Sequence, residues 1–239
     1  MVIAVTSYKI KRPNFFITTA EARILWQHTK KWSTKWQVML GLALFRGMRI
    51  GEVCACNIYD FQNKNFNKLN IILGKSHIKD EFPILAEFNE LIKYYVINNR
   101  HRLKDGYLFP FYNSNRNGKY MGIKTASAAF SKWRKEIGKE HPEFLDRTEY
   151  MSLNNKIYHR YRISWHSCRR WFETQIWDKY KDKMMLRDIM RYKESRTVDV
   201  YIDPYEVWKR EGLILEDTFG DLFRDFNHMA AGQTKLTSF

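Results

Sequence analysis

The chain has 239 residues, of which 44% are hydrophobic and 16% aromatic. That is apolar material for one or two domains at ~150 residues each, and far more than a disordered chain carries. The 41 Lys and Arg against 26 Asp and Glu give a net charge of +15 and a pI near 9.7, so a polyanionic partner is expected, nucleic acid foremost. No run reaches the ~18 uninterrupted apolar residues of a membrane span, and no basic start followed by an apolar core marks a secretory signal. The 3 cysteines are too few for a disulfide scaffold. A cytoplasmic, reducing setting without membrane contact is expected.

In chain order, Ser33-Thr34 reads as a helix start, with Trp36, Met39, Leu40, Ala43 and Leu44 on one face. Gly47 interrupts that pattern, and a short helix runs from Arg49 towards Cys56. Leu69 to Leu73 and Ile78 to Ile84 read as two strands around a turn, Gly74-Lys75-Ser76-His77, making an antiparallel hairpin. Phe88, Leu91, Ile92, Tyr95 and Val96 mark a helix, while 104–106 and 113–118 are loops. Ala126, Ala129, Phe130, Trp133 and Ile137 mark another helix, closed by Gly138. Further helices are expected at about 166–180, 182–192 and 196–202, with amphipathic segments to about 229. The expected fold is mainly α with a small antiparallel β-element.

Charge is unevenly spread. Residues 150–172 contain no acid, yet hold Lys156, Arg160, Arg162, Arg169 and Arg170 interleaved with Tyr158, Tyr161, Trp165 and Trp171. Between Glu211 and Asp225 the sign reverses, with Glu216, Asp217 and Asp221 facing only Arg224. A basic middle and an acidic tail suit different partners, DNA for the first and protein for the second. Leu213, Leu215, Phe219, Leu222, Phe223 and Phe226 form an apolar series in that tail. Such a face is covered either by its own domain or by a neighbouring protomer.

Two polar pairs stand out. His166 and Arg169 lie three apart on one helix face, opposite the stripe of Cys168, Trp171, Phe172 and Ile176. Arg49 is followed one turn on by Glu52, which can pair with and orient its guanidinium. Cys54 and Cys56 lack a second Cys/His pair at zinc spacing and read as core. Met184, Met185 and Met190 read as packing.

The ordered set of motifs resembles the catalytic domain of the tyrosine recombinases, the phage integrase family that breaks and rejoins DNA. Leu44-Phe-Arg-Gly-Met-Arg49-Ile-Gly-Glu52-Val53 is similar to the family's first arginine box, continuing through Cys56-Asn-Ile-Tyr-Asp60-Phe61. Leu73-Gly-Lys75-Ser-His-Ile-Lys79-Asp-Glu-Phe-Pro83-Ile84 resembles its β-hairpin, with a lysine in the turn. Trp165-His166-Ser-Cys-Arg169-Arg170 resembles the His-x-x-Arg box, with Arg170 where the family often has histidine. Ile189-Met-Arg-Tyr192 through Tyr201 resembles the segment ending in the nucleophilic tyrosine, which here lies 32 residues beyond Arg169. Tyr192 stands where the family usually has histidine or tryptophan.

The resemblance implies catalytic roles for Arg49, Lys75, His166, Arg169, Tyr192 and Tyr201, supported by Glu52. Tyr201 would attack phosphorus, with Tyr205 the only rival. Arg49 and Arg169 would clamp the non-bridging oxygens. Lys75 would protonate the leaving 5′-oxygen, with Lys79 the second choice, while His166 and Tyr192 would hydrogen-bond the phosphate. A site-specific recombinase or integrase acting through a 3′-phosphotyrosine, without metal, cofactor or ATP, is the implied activity. A type IB topoisomerase-like or hairpin-resolving enzyme, and a catalytically inactive DNA-binding relative, are the alternatives. The implied partners are double-stranded DNA and further copies of the chain in a tetramer on paired sites, from a mobile element such as a virus or plasmid.

The expected organisation is an N-terminal extension over 1–16, a catalytic domain over 17–205, and a C-terminal helical tail over 206–239 that docks in cis or on a neighbour. The residues before Phe15 are too few for the family's separate N-terminal helical domain of ~90 residues. The chain therefore corresponds to a catalytic fragment or to a protein without that clamp.

Overall fold

The computed structural model describes residues 17–58, 68–72, 79–103, 106–111, 119–151, 157–190 and 204–228. Helix α1, Thr19–Lys30, opens on a reciprocal cap: Thr18 N–H donates to Glu21 Oε2 at 2.7 Å, and Glu21 N–H donates to Thr18 Oγ1 at 3.2 Å. No helix was expected here from the apolar pattern, yet Ala22, Leu25, Trp26 and Thr29 give it a buried face. Helix α2, Thr34–Leu44, is buried along Val38 to Leu44 and forms the centre of the domain. At Gly41 an added Cβ would lie 2.2 Å from the Phe88 ring, so glycine is what lets α2 meet α4, Ala86–Asn99.

The hairpin forms as expected, from β1, Lys68–Ile72, and β2, Lys79–Pro83, in antiparallel register from Lys68 opposite Pro83 to Ile72 opposite Lys79. Its turn, with Lys75, lies outside the described residues. A two-residue pair, β3 at Pro110–Phe111 and β4 at Lys119–Tyr120, precedes α5, Ile123–Ile137. A second ribbon then follows, β5 at Arg147–Met151 with β6 at Ile157–Tyr161. It was not expected, and β6 is exposed from Ile157 to Arg160. Helices α6, Trp165–Tyr180, α7, Lys183–Met190, and α8, Pro204–His228, complete the described chain. The helix expected at 196–202 lies outside the described residues.

An aromatic core joins both ends of the chain. Phe45 is surrounded by Trp26 of α1 at 5.3 Å, Phe88 of α4 at 6.1 Å, Trp171 of α6 at 6.2 Å and Phe223 of α8 at 4.9 Å between ring centroids. Phe219 also stacks on Phe172 at 4.9 Å with ring planes 8° apart. Leu215, Phe219, Phe223 and Phe226 are buried in this core, while Leu213 is exposed. The acidic tail residues partner their own chain: Glu216 Oε1 accepts from the Ala86 N–H at 2.6 Å, at the start of α4. Asp217 pairs with Lys179 at 2.7 Å, and Glu87 with Arg224 at 3.1 Å. Of the three methionines expected to pack, Met190 is buried and Met185 packs on the core, but Met184, near the start of the short α7, is exposed.

Candidate active site

Two arginines meet at the turn between α2 and α3, Ile50–Cys54. Gly47 takes φ +64°, a left-handed conformation natural only to glycine, and an added Cβ would lie 2.5 Å from Phe172 Cδ1. The turn aims Arg49 outward, with its side chain 51% exposed. Glu52, which is buried, holds both ends of that residue: Oε2 accepts the Arg49 N–H and Oε1 accepts Nη1, each at 2.8 Å.

Arg169 approaches the same turn from α6. The sequence put it on the face opposite the apolar stripe, but its side chain is 7% exposed and lies within the core. Its Nη1 donates to the Gly47 carbonyl and its Nη2 to the Met190 carbonyl, the latter at 3.1 Å. Glu173 Oε1 lies 3.5 Å from its Nε. One guanidinium thus ties the Arg49 turn to the end of α7, two residues before Tyr192 in sequence. Charge-assisted bonds of this kind are worth more than neutral ones, and removing the guanidinium would strand two buried carbonyls.

His166 lies one turn before Arg169 and is exposed at the start of α6. Arg170 Nε donates to His166 Nε2 at 3.3 Å, so that nitrogen carries the lone pair and the ring proton sits on Nδ1. Partial burial, and then the charge of Arg170, hold the imidazole below its ordinary range, favouring the neutral ring. Lys75, Tyr192 and Tyr201 lie outside the described residues; Lys79 and Tyr205 fall on β2 and α8.

Beside His166 an open-sided cavity of about 370 Å³ separates the foot of β6 from α6. Arg134, His159, Arg160, Tyr161, Ser164 and His166 line it, and among the described residues none that lines it is acidic. Arg134 went unnoticed in the sequence, because an arginine on an amphipathic helix normally reads as solvated. It is nevertheless buried, with its guanidinium 3.4 Å above the Tyr161 ring, Nη1 donating to the Ile163 carbonyl at 3.2 Å and Nη2 to Ser131 Oγ at 3.3 Å.

The cysteines are free and buried, and burial pushes the Cys54 thiol up to about 12 and raises Cys168 as well. Such thiols are poor nucleophiles and poor ligands. Among the described residues no group of three His, Cys, Asp or Glu could hold a metal ion. Among them, too, no helix is long and apolar enough to cross a membrane.

No protein of curated function matches the chain significantly in sequence. Solved structures do resemble it. The integrase from mycobacterium phage Brujita is similar at a TM-score of 0.55 and 15% identity, over 87% of this chain and 60% of that one. The XerA recombinase is similar at 0.55 and 16%, over 88% of this chain and 66% of that one. The Tn1549 transposon integrase, solved in complex with transposon right end DNA, is similar at 0.56 and 20%, over 84% of this chain and 65% of that one. At these identities the likeness is one of fold, and the chain spans about three fifths of the length of those proteins. The phage integrase family matches residues 16–206. With that match spanning most of its length, the chain belongs to the phage integrase family.

Proposed function

We propose that the chain is the catalytic part of a site-specific DNA recombinase that cuts and rejoins duplex DNA through a tyrosine. The observation that carries this reading is the shared anchoring of Arg49 and Arg169. Two guanidiniums held at one turn, by Glu52 and by the Gly47 carbonyl, suit the two non-bridging oxygens of a phosphodiester. In this reading Tyr201 Oη attacks phosphorus as its phenolic proton passes to solvent water, a P–O bond to the tyrosine forms and the P–O5′ bond breaks. The leaving 5′-oxygen takes its proton from Lys75. The 3′-phosphotyrosine retains the bond energy, so attack by a 5′-hydroxyl reverses the step and reseals the strand without ATP or a metal. His166, neutral with its proton on Nδ1, can donate that proton in a hydrogen bond to the phosphate, and Tyr192 adds another. Arg49 and Arg169 stabilise the charge that grows on the equatorial oxygens. The net charge of +15 supports double-stranded DNA as the partner, and exchange between two sites calls for a homotetramer on paired DNA.

The test is a nicked suicide duplex incubated with the protein, denatured and resolved for a protein–DNA adduct, with Tyr201→Phe alongside. The expected result is an adduct from the parent chain and none from the variant. An equal adduct from Tyr201→Phe refutes the assignment of the nucleophile, and no adduct across a panel of duplexes refutes the enzyme.

A further inference from the structure

Apart from His166, the side chains around the cavity between the β5–β6 ribbon and α6 take no part in the cleavage chemistry. Arg134 and Arg160 line it with His159 and His166, and among the described residues none that lines it is acidic. Ser164 places it at the N-terminus of a 16-residue helix, whose first-turn N–H groups and macrodipole also favour negative charge. The deepest of these groups is Arg134. It is only 6% exposed, its Nε has no hydrogen-bond partner, and no carboxylate among the described residues pairs with it. Among the described residues this buried cation meets a carbonyl, a hydroxyl and an aromatic face, none of which supplies a counter-charge.

The surroundings indicate where that charge comes from. Strand β6 leads from the ribbon into α6, with four residues between Tyr161 and His166 in sequence, and its side chains stay in solvent: Ile157 is 60% exposed and Tyr158 45%. Tyr161 at the foot of the ribbon is held between Arg134 at 3.4 Å and Arg147 at 4.6 Å from its ring centroid, with Arg147 Nη2 donating to its hydroxyl. The foot is thus fixed while the strand above it is open to a ligand. Successive phosphates of one strand rise about 3.4 Å along a duplex, so a cavity walled by His166 lies within one or two phosphates of the one that His166 would touch.

We infer that this cavity seats a backbone phosphate neighbouring the cleaved one, with Arg160 at its mouth and Arg134 at its base, and that the ribbon lies along that strand. The inference rests on the DNA-cleaving reading above and adds to it a second, non-reacting phosphate subsite.

The experiment uses Arg160→Gln, on an exposed strand where substitution spares the core, with Lys181→Gln as control. Lys181 ends α6, roughly 22 Å along the helix from His166. Binding to the duplex that gives the adduct is measured against salt, and again with a neutral methylphosphonate at each of three positions either side of the cleaved phosphate. Arg160→Gln is expected to weaken binding about 5–10-fold and to lower the salt slope by about one, with Lys181→Gln unchanged. One flanking methylphosphonate should weaken the parent chain by a similar factor and add little in Arg160→Gln. Losses that multiply independently at every position, or an unchanged salt slope, would overturn the subsite while adduct formation by the parent leaves the enzyme standing. A parent chain that neither binds duplex nor forms an adduct overturns both.

Discussion

Replacing Gly47 by alanine probes the turn that joins the two arginines. The φ of +64° at this position costs an alanine about 1–2 kcal/mol. The new methyl also meets the Phe172 ring at 2.5, 2.9 and 3.1 Å, an overpacking that typically costs about 1–3 kcal/mol in a closed core. Alanine restricts the unfolded chain more than glycine and returns about 0.4–1 kcal/mol. The net expectation is a loss of about 2–4 kcal/mol, or a fall in Tm of about 5–15 °C for a chain of this size. Urea unfolding followed by circular dichroism measures the first, and a thermal scan the second. Pairing Gly47→Ala with Phe172→Leu separates the two origins: the pair should cost clearly less than the sum of the singles, because only the steric part is relieved. A single variant within about 0.5 kcal/mol of the parent, or full additivity of the pair, would refute the reasoning. Because Arg169 holds the Gly47 carbonyl, adduct formation should fall in the same variant even below its unfolding temperature.

Arg169→Ala should slow adduct formation by ~10²–10³ when assayed cold enough to remain folded, and near-parental cleavage would sink its assignment as a clamp. Arg170→Ala removes a charge that helps hold His166 below its ordinary range, so the His166 ring should titrate at higher pH in a proton NMR titration; an unmoved midpoint would refute the pairing. Glu21 is buried, which alone would raise its carboxyl, but the Arg162 guanidinium and the Thr18 N–H outweigh burial and hold it below its ordinary 4.5. A depressed carboxylate stabilises the fold above that value and loses its contribution as pH falls through the folded-state value. Glu21→Gln should therefore be less stable at pH 7 and show a flatter acid limb below about pH 4.5 in urea midpoints, and parallel limbs would refute it.

What the sequence disclosed follows from what each element packs against. Helices α4, α5 and α6 each bury one face, so their apolar residues recur at helical spacing and were readable, while α2, buried all round from Val38 to Leu44, was readable from its apolar content. Helix α1 carried equal evidence in its Thr18-Glu21 cap and in the spacing of Ala22, Leu25, Trp26 and Thr29, but its intervening polar residues masked the stripe. The β5–β6 ribbon left no alternation to read, because β6 stands in solvent and nothing selects one face over the other. In the site, the proximity of Arg49 to Glu52 was legible, since that pair lies within one helical turn, whereas His166, read with Arg169, instead meets Arg170. The burial of Arg134 was not legible, because its partner carbonyl at Ile163 lies 29 residues away. Nor could the sequence place Arg169 inside the core, since that depends on carbonyls contributed by Gly47 and Met190.

The core has a consequence for how the chain is made. Trp26 Nε1 donates to Asn227 Oδ1 across 201 residues of sequence, and Phe223 and Phe226 complete the aromatic cluster that α1 and α2 begin. Contacts of such long sequence separation form late and slow folding. During synthesis at about 5–20 residues per second, the aromatic faces of Trp26, Phe45 and Trp171 have no cover for the many seconds before α8 is made. The nascent domain thus presents a sticky apolar surface for most of its translation, and the last helix to appear is the one that seals it.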